Sequence, residues 1–68
     1  MSKPSNISLE YAKEKISKLI IYNEKMIMYN INEINKAVDP NVREIHRTFI
    51  LIRIENIREL NEIFKEIS

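Results

Sequence analysis

Sixty-eight residues with no glycine, no cysteine and two prolines leave little room for the usual catalytic machinery. Phosphate loops, dinucleotide fingerprints and nucleophile elbows all need glycine where backbone approaches a ligand or turns sharply, and thiolate metal sites and disulfides need cysteine. Eleven basic against ten acidic side chains give a net charge of +1, so no overall field draws the chain to nucleic acid or to an anionic membrane. Fourteen residues are isoleucine, yet no apolar run approaches the roughly 20 residues that span a bilayer, and nothing resembles a signal peptide. A cytoplasmic protein is expected. Phe, Tyr, Met, Ile, Asn and Lys, whose codons are rich in A and T, total 37 residues against 8 of Gly, Ala, Arg and Pro, the mark of an AT-rich gene.

In chain order, residues 1–7 carry Pro4, Ser2, Ser5 and Asn6 and read as a flexible lead-in to a single domain. Ser8 is the expected N-cap of a first helix, with Glu10 favourably placed against the helix dipole. Nothing breaks that helix before Val38. Asp39-Pro40 is the one internal interruption: proline disfavours helix at the residue before it but suits the first position of a helix capped by Asp39. A second helix then runs from 40 to 67. Two helices of similar length joined by so short a connection fold back as antiparallel neighbours.

Helical periodicity places Leu9, Ile16, Ile20, Ile27, Ile31, Ile34 and Val38 on one stripe of the first helix, and Val42, Phe49, Ile57, Leu60, Phe64 and Ile67 on one stripe of the second. These are the expected seam. The middle level holds more apolar residues than a seam can cover, with Tyr22, Met26, Met28 and Tyr29 on the first helix and Ile50, Leu51, Ile52 and Ile54 on the second. The predicted fold is therefore all-α, a two-helix hairpin that dimerises into a four-helix bundle, with Met26, Met28, Ile50, Leu51, Ile52 and Ile54 at the dimer interface. Residues 48–54 are also dense in β-branched and aromatic side chains, so a strand pairing between molecules stays open for that segment.

Polar residues interrupt the seam at heptad spacing: Asn23 and Asn30 on the first helix, His46 and Arg53 on the second. Folding the chain about residue 39 sets Arg53 level with residues 23–27 and His46 level with residues 30–32, with Glu24 and Asn56 at the edges. A buried charge needs compensation, and a contact between Arg53 and Glu24, within or between subunits, would supply it. Such a polar layer fixes register and oligomer state in helical bundles. A catalytic or anion-binding cluster is the alternative, but one histidine without a second base or a nucleophile motif points away from an enzyme. No metal is expected, because that histidine lacks a His or Glu partner at helical spacing, and no cofactor or small-molecule substrate is expected either.

Tyr11, Lys15, Lys18, Tyr22, Lys25, Tyr29 and Lys36 step round the first helix by 4, 3, 4, 3, 4 and 7 residues, on a stripe expected opposite the seam. Tyrosine is enriched at protein interfaces, which makes this a partner-binding face. Lysines on phosphates and tyrosines stacked on bases would grip nucleic acid by the same stripe, and a solvated lysine face covering tyrosine rings is the third possibility. Residues 1–38 total only +2 and contain no arginine, which weakens the nucleic-acid case.

The expected architecture resembles that of the plasmid regulator Rop, a dimer of helical hairpins that binds paired RNA loops. The likeness is of helix lengths, with no shared motif, and implies a nucleic-acid-binding regulator as the alternative function. Asp39-Pro40-Asn41-Val42 is similar to the turn of the small bacillar aspartyl-phosphate phosphatases. Where that family carries Ser-Gln-x-Leu-Asp this chain has His46, Arg47, Thr48, Phe49 and Ile50, so the activity is not expected to follow. The function expected is a non-enzymatic homodimeric interaction, adaptor or regulatory module with a protein partner.

Overall fold

The computed structural model describes residues 6–68. Two helices account for nearly all of them, α1 (Asn6–Lys36) and α2 (Pro40–Ile67), packed together as an antiparallel hairpin. Residues 48–54 are helical throughout, so the strand alternative falls. Isoleucine has only a weak intrinsic preference against helix, and packing along the seam overrides it. The expected lead-in at residues 1–5 lies outside the described residues. Asn6 and Ile7 are already helical, so Ser8 stands within the first turn of α1 and is not its N-cap. Extending a nucleated helix backward over two residues that permit helical backbone costs little.

The turn is built as the Asp-Pro dipeptide dictates. α1 ends at Lys36, with one further bond from the Ala37 amide to the Glu33 carbonyl at 2.9 Å. Asp39 is extended (φ −76°, ψ 121°) and its carboxylate accepts from the Asn41 amide at 2.9 Å, while Pro40 occupies the first helical position, where a missing amide hydrogen does no harm. Arg43 completes the corner: its Nε donates to the Ala37 carbonyl at 2.8 Å, satisfying an acceptor that the end of α1 leaves open. Replacing Asp39 by alanine should therefore destabilise the fold by about 1 kcal/mol, the usual value of such a cap. For a domain of this size that lowers Tm by about 4–8 °C. Thermal unfolding followed by circular dichroism measures it, and an unchanged Tm would mean that the cap contributes nothing.

Along the seam of α1 the buried column is Ile16, Asn23 and Asn30, seven residues apart, flanked by half-buried Ile20, Ile27 and Ile34 on one side and Ala12 and Met26 on the other. α2 contributes His46, Ile50, Arg53, Ile57, Leu60, Phe64 and Ile67, alternating by four and three in a heptad pattern. The expected seam is thus corrected in its apolar members. Ile31, Val38, Val42 and Phe49 are exposed, Val38 by 89%, and the contact line runs through the expected polar residues Asn23, Asn30, His46 and Arg53. The asparagine column rotates the contact line of α1 toward its tyrosine side, which carries Ile31 and Val38 out of it.

The resulting hairpin is long and thin, 56 × 15 × 14 Å with a radius of gyration of 16.2 Å, against about 11 Å for a compact chain of this length. Its apolar core is minimal. Among the described residues Ile16 is the only buried apolar side chain, at 8% exposure, and no residue of α2 is fully buried.

Candidate interaction surface

The two asparagines of the seam perform the same operation one heptad apart. Asn23 Nδ2 donates to the Leu19 carbonyl at 2.8 Å and Asn30 Nδ2 to the Met26 carbonyl at 2.7 Å, each reaching back one helical turn. That back-bond aims both Oδ1 atoms across the seam at donors of α2. Asn30 Oδ1 lies 2.7 Å from His46 Nδ1, and since a carboxamide oxygen only accepts, His46 carries its hydrogen on Nδ1. Asn23 Oδ1 accepts from an Arg53 NH group at 3.3 Å and from Asn56 Nδ2 at 3.5 Å. Asn30, at 2% exposure, and Asn23, at 4%, are the most buried side chains described. No buried side-chain N or O atom among the described residues lacks a partner, as burial requires.

Aromatic rings close over these polar pairs. Tyr22 lies under the Arg53 guanidinium, 5.4 Å from ring centroid to Cζ, and His46 meets Tyr29 and Phe49 edge-on at 6.4 and 6.0 Å. Tyr22 and Tyr29 therefore do not sit opposite the seam as expected. They flank it and touch α2, because the contact line of α1 runs through the asparagines next to them in sequence. The stripe divides accordingly. Tyr11, Lys15 and Lys25 face solvent, Lys18 pairs with Glu14 at 3.1 Å, and Lys36 lies 3.8 Å from Glu33. Such exposed pairs contribute little to stability, but each offsets a positive charge that a phosphate would otherwise meet.

The expected contact between Arg53 and Glu24 is absent within the chain. Glu24 is exposed and enters no ion pair. It stands two residues from Tyr22, about 200° round the helix, so the side of α1 that covers Arg53 is the side Glu24 turns away from. Arg53 opens instead into a groove of about 300 Å³ lined also by Leu19, Tyr22, Asn23, Asn56, Glu59, Leu60 and Ile63. Helical spacing puts exposed Ile45, Phe49 and Ile52 on the same side of α2 as Asn56 and Ile63, so that side of the hairpin carries exposed apolar residues around a polar centre of Arg53, Asn56 and Glu59. Of the residues expected at a dimer interface, Ile52 belongs to this side. Met26 and Ile50 are half-buried, and Met28, Leu51 and Ile54 point elsewhere, Leu51 at 67% exposure.

On the outer side of α2, Arg58 bridges Glu55 and Glu62, and Arg47 pairs with Glu44 at 2.6 Å. The hydrogen bond from Arg58 holds the Glu55 carboxyl below the usual carboxylate range, and Glu55 in turn holds the Arg58 guanidinium above its ordinary value. These groups are fully solvated and support the helix surface. Among the described residues no three of His, Cys, Asp and Glu converge as metal ligands, and no helix is long and apolar enough to cross a membrane.

Two features of the site escaped the sequence reading. One is the capping role of Arg43, whose only signal was its place three residues after Pro40. The other is the aromatic cover on Arg53 and His46, for which the signal was the tyrosine immediately before each seam asparagine. Comparison with protein-family models, with curated proteins and with solved structures returns no match.

Proposed function

We propose that the chain works as a non-enzymatic homodimer in the cytoplasm, two hairpins closing into a four-helix bundle that serves as a protein-interaction or regulatory module. The observation that carries this reading is the mismatch between apolar content and burial. Aliphatic and aromatic side chains are abundant, yet among the described residues Ile16 is the only apolar one buried, while Leu19, Tyr22, Tyr29, Ile45, Phe49, Ile52 and Ile63 are exposed. The chain exposes 5590 Å², where a compact monomer of its mass would expose about 4500 Å². The excess of about 1000 Å² matches the roughly 800 Å² that each partner contributes to a standard interface. A second copy is the natural cover, since closed two-fold pairs dominate among oligomers and a self-complementary apolar side needs no other protein.

With that side covered, Tyr11, Lys18 and Lys25 are the part of the tyrosine–lysine stripe left at its outer margin to meet a protein partner, while Lys15, one heptad before Tyr22, lies on the covered side. The nucleic-acid alternative uses the same residues with less support, because one face of Tyr22 is taken by Arg53 and Tyr29 meets His46 in a T-shaped contact. Light scattering over a tenfold concentration range tests the dimer. The expected mass is about 16 kDa, twice the 8.2 kDa of the chain, and a stable 8.2 kDa species would overturn the reading. Partner binding that persists in high salt favours the protein module, and binding that falls steeply with salt favours nucleic acid.

A further inference from the structure

We infer, resting on the proposed dimer, that its two-fold axis passes through Asn56 perpendicular to the hairpin, so that α2 lies antiparallel on its own copy and Arg53 pairs with the partner's Glu59. Arg53 and Glu59 line the same groove, with Asn56 between them. Opposite charges in one groove attract, yet neither enters an ion pair among the described residues. The helix itself keeps them apart: six residues separate them by about 9 Å along α2 and about 120° round it, one on each flank of Asn56. A second copy supplies to each the charge that its own chain holds out of reach.

A two-fold axis through Asn56 reverses both position along α2 and angle round it. Residues equally spaced before and after Asn56 therefore come face to face, because their offsets from it are equal and opposite. Arg53, three before, meets the partner's Glu59, three after, and the pair forms twice. By the same rule Ile52 meets the partner's Leu60, Phe49 the partner's Ile63 and Ile45 the partner's Ile67. Ile45, Phe49, Ile52 and Ile63 are each about half exposed in the hairpin, at 46–52%, so these pairs cover open apolar surface. Asn56 meets its own copy, and a carboxamide, which both donates and accepts, suits a self-pair. The sequence of this side is thus self-complementary in charge and in apolarity about one residue. A two-fold axis parallel to the hairpin instead sets α2 against the partner's α1, where Leu19 and Tyr22 hold the level of Arg53 and give it no carboxylate.

The chain contains no cysteine, so one introduced thiol reports one position. Asn56→Cys should form a disulfide-linked dimer in air, because helices in contact bring Cα atoms on the axis to about 5 Å, within disulfide reach. The change removes only a 3.5 Å bond to Asn23, so the hairpin keeps its fold. Ile63→Cys should not link to itself, since the axis leaves it about 21 Å from its copy, but mixed with Phe49→Cys it should. Glu59 is exposed, so Glu59→Arg leaves the hairpin intact while setting arginine against arginine, and it should weaken self-association by about tenfold or more. An equimolar mixture of Glu59→Arg with Arg53→Glu should recover a tight heterodimer, each copy carrying what the other lacks. A wild-type dimer by light scattering whose Asn56→Cys variant links no faster than Leu51→Cys, on the outer side, overturns the arrangement and leaves the dimer standing. So does a Glu59→Arg variant that associates as tightly as the wild type. A wild type that stays monomeric overturns both.

Discussion

Replacing Asn30 by leucine should lower the stability of the fold by about 1–3 kcal/mol, although leucine is larger, apolar and a better helix former. Asn30 is the most buried side chain described, and it holds two bonds at once, to the Met26 carbonyl and to His46 Nδ1. The Met26 carbonyl already takes part in the helix ladder and loses little. His46 loses the acceptor for its Nδ1 hydrogen in a half-buried position between Tyr29 and Phe49, where water cannot freely replace it. An unsatisfied donor of this kind carries its full desolvation penalty, which for a domain of this size lowers Tm by about 4–8 °C for each kcal/mol. The double variant Asn30→Leu with His46→Leu should recover most of the loss, since removing both partners leaves nothing unpaired. Thermal unfolding at one fixed protein concentration completes the cycle. Additive losses in the double variant would show that the pair makes no energetic contact. The same change at Asn23 should cost less, because its bonds across the seam, at 3.3 and 3.5 Å, are long. A recovered double variant should also lose definition of its oligomeric state, if this polar layer sets register as single buried asparagines do in coiled coils.

The sequence makes some of this architecture legible and hides the rest for one physical reason. Asp39-Pro40 is the only break in 68 residues, so the two helices and their antiparallel return follow from it, and the cap geometry is a local property of those two side chains. Folding the chain at that point also predicts the levels, and the observed pairs, 23 with 53 and 30 with 46, lie where a mirror near residue 38 puts them. Levels depend only on counting along the chain. The rotation of α1 about its own axis depends on the direction of its apolar stripe, and fourteen isoleucines spread round two helices define that direction poorly. A stripe drawn through the isoleucines keeps Asn23 and Asn30 as interruptions beside its centre line and turns Ile31 and Val38 inward. The structure centres the contact line on the asparagines themselves, because an asparagine that bonds back to its own helix and forward to its neighbour is satisfied in the seam. The displaced tyrosine stripe and the missing contact between Arg53 and Glu24 both follow from this one rotation.

Charging the open apolar side should dissociate the proposed dimer and unfold the hairpin with it. Ile45 and Ile52 stand seven residues apart on that side, half-exposed and without polar contacts of their own. In an isolated hairpin, exchange of two such residues for glutamate is a surface change within about 0.5 kcal/mol each. In a two-fold dimer it places four carboxylates where four apolar side chains were covered. At about 1 kcal/mol of lost burial for each half-exposed isoleucine, before any desolvation of the new charges, the dimer loses about 4 kcal/mol, or a factor of about a thousand in Kd. On the proposed reading the chain has little reserve to survive alone. Among the described residues one buried isoleucine and a thin polar seam form a small core for two helices of this length, whose stability in water comes from packing more than from intrinsic propensity. Ile45→Glu with Ile52→Glu should therefore lose both the dimer mass and most of its helical circular dichroism at micromolar concentration. Leu51→Glu, on the outer side of α2 and more exposed than either, should keep both. If instead the double variant remained a helical monomer, the hairpin would be self-sufficient, and the apolar side would have to be read as a surface for a different protein.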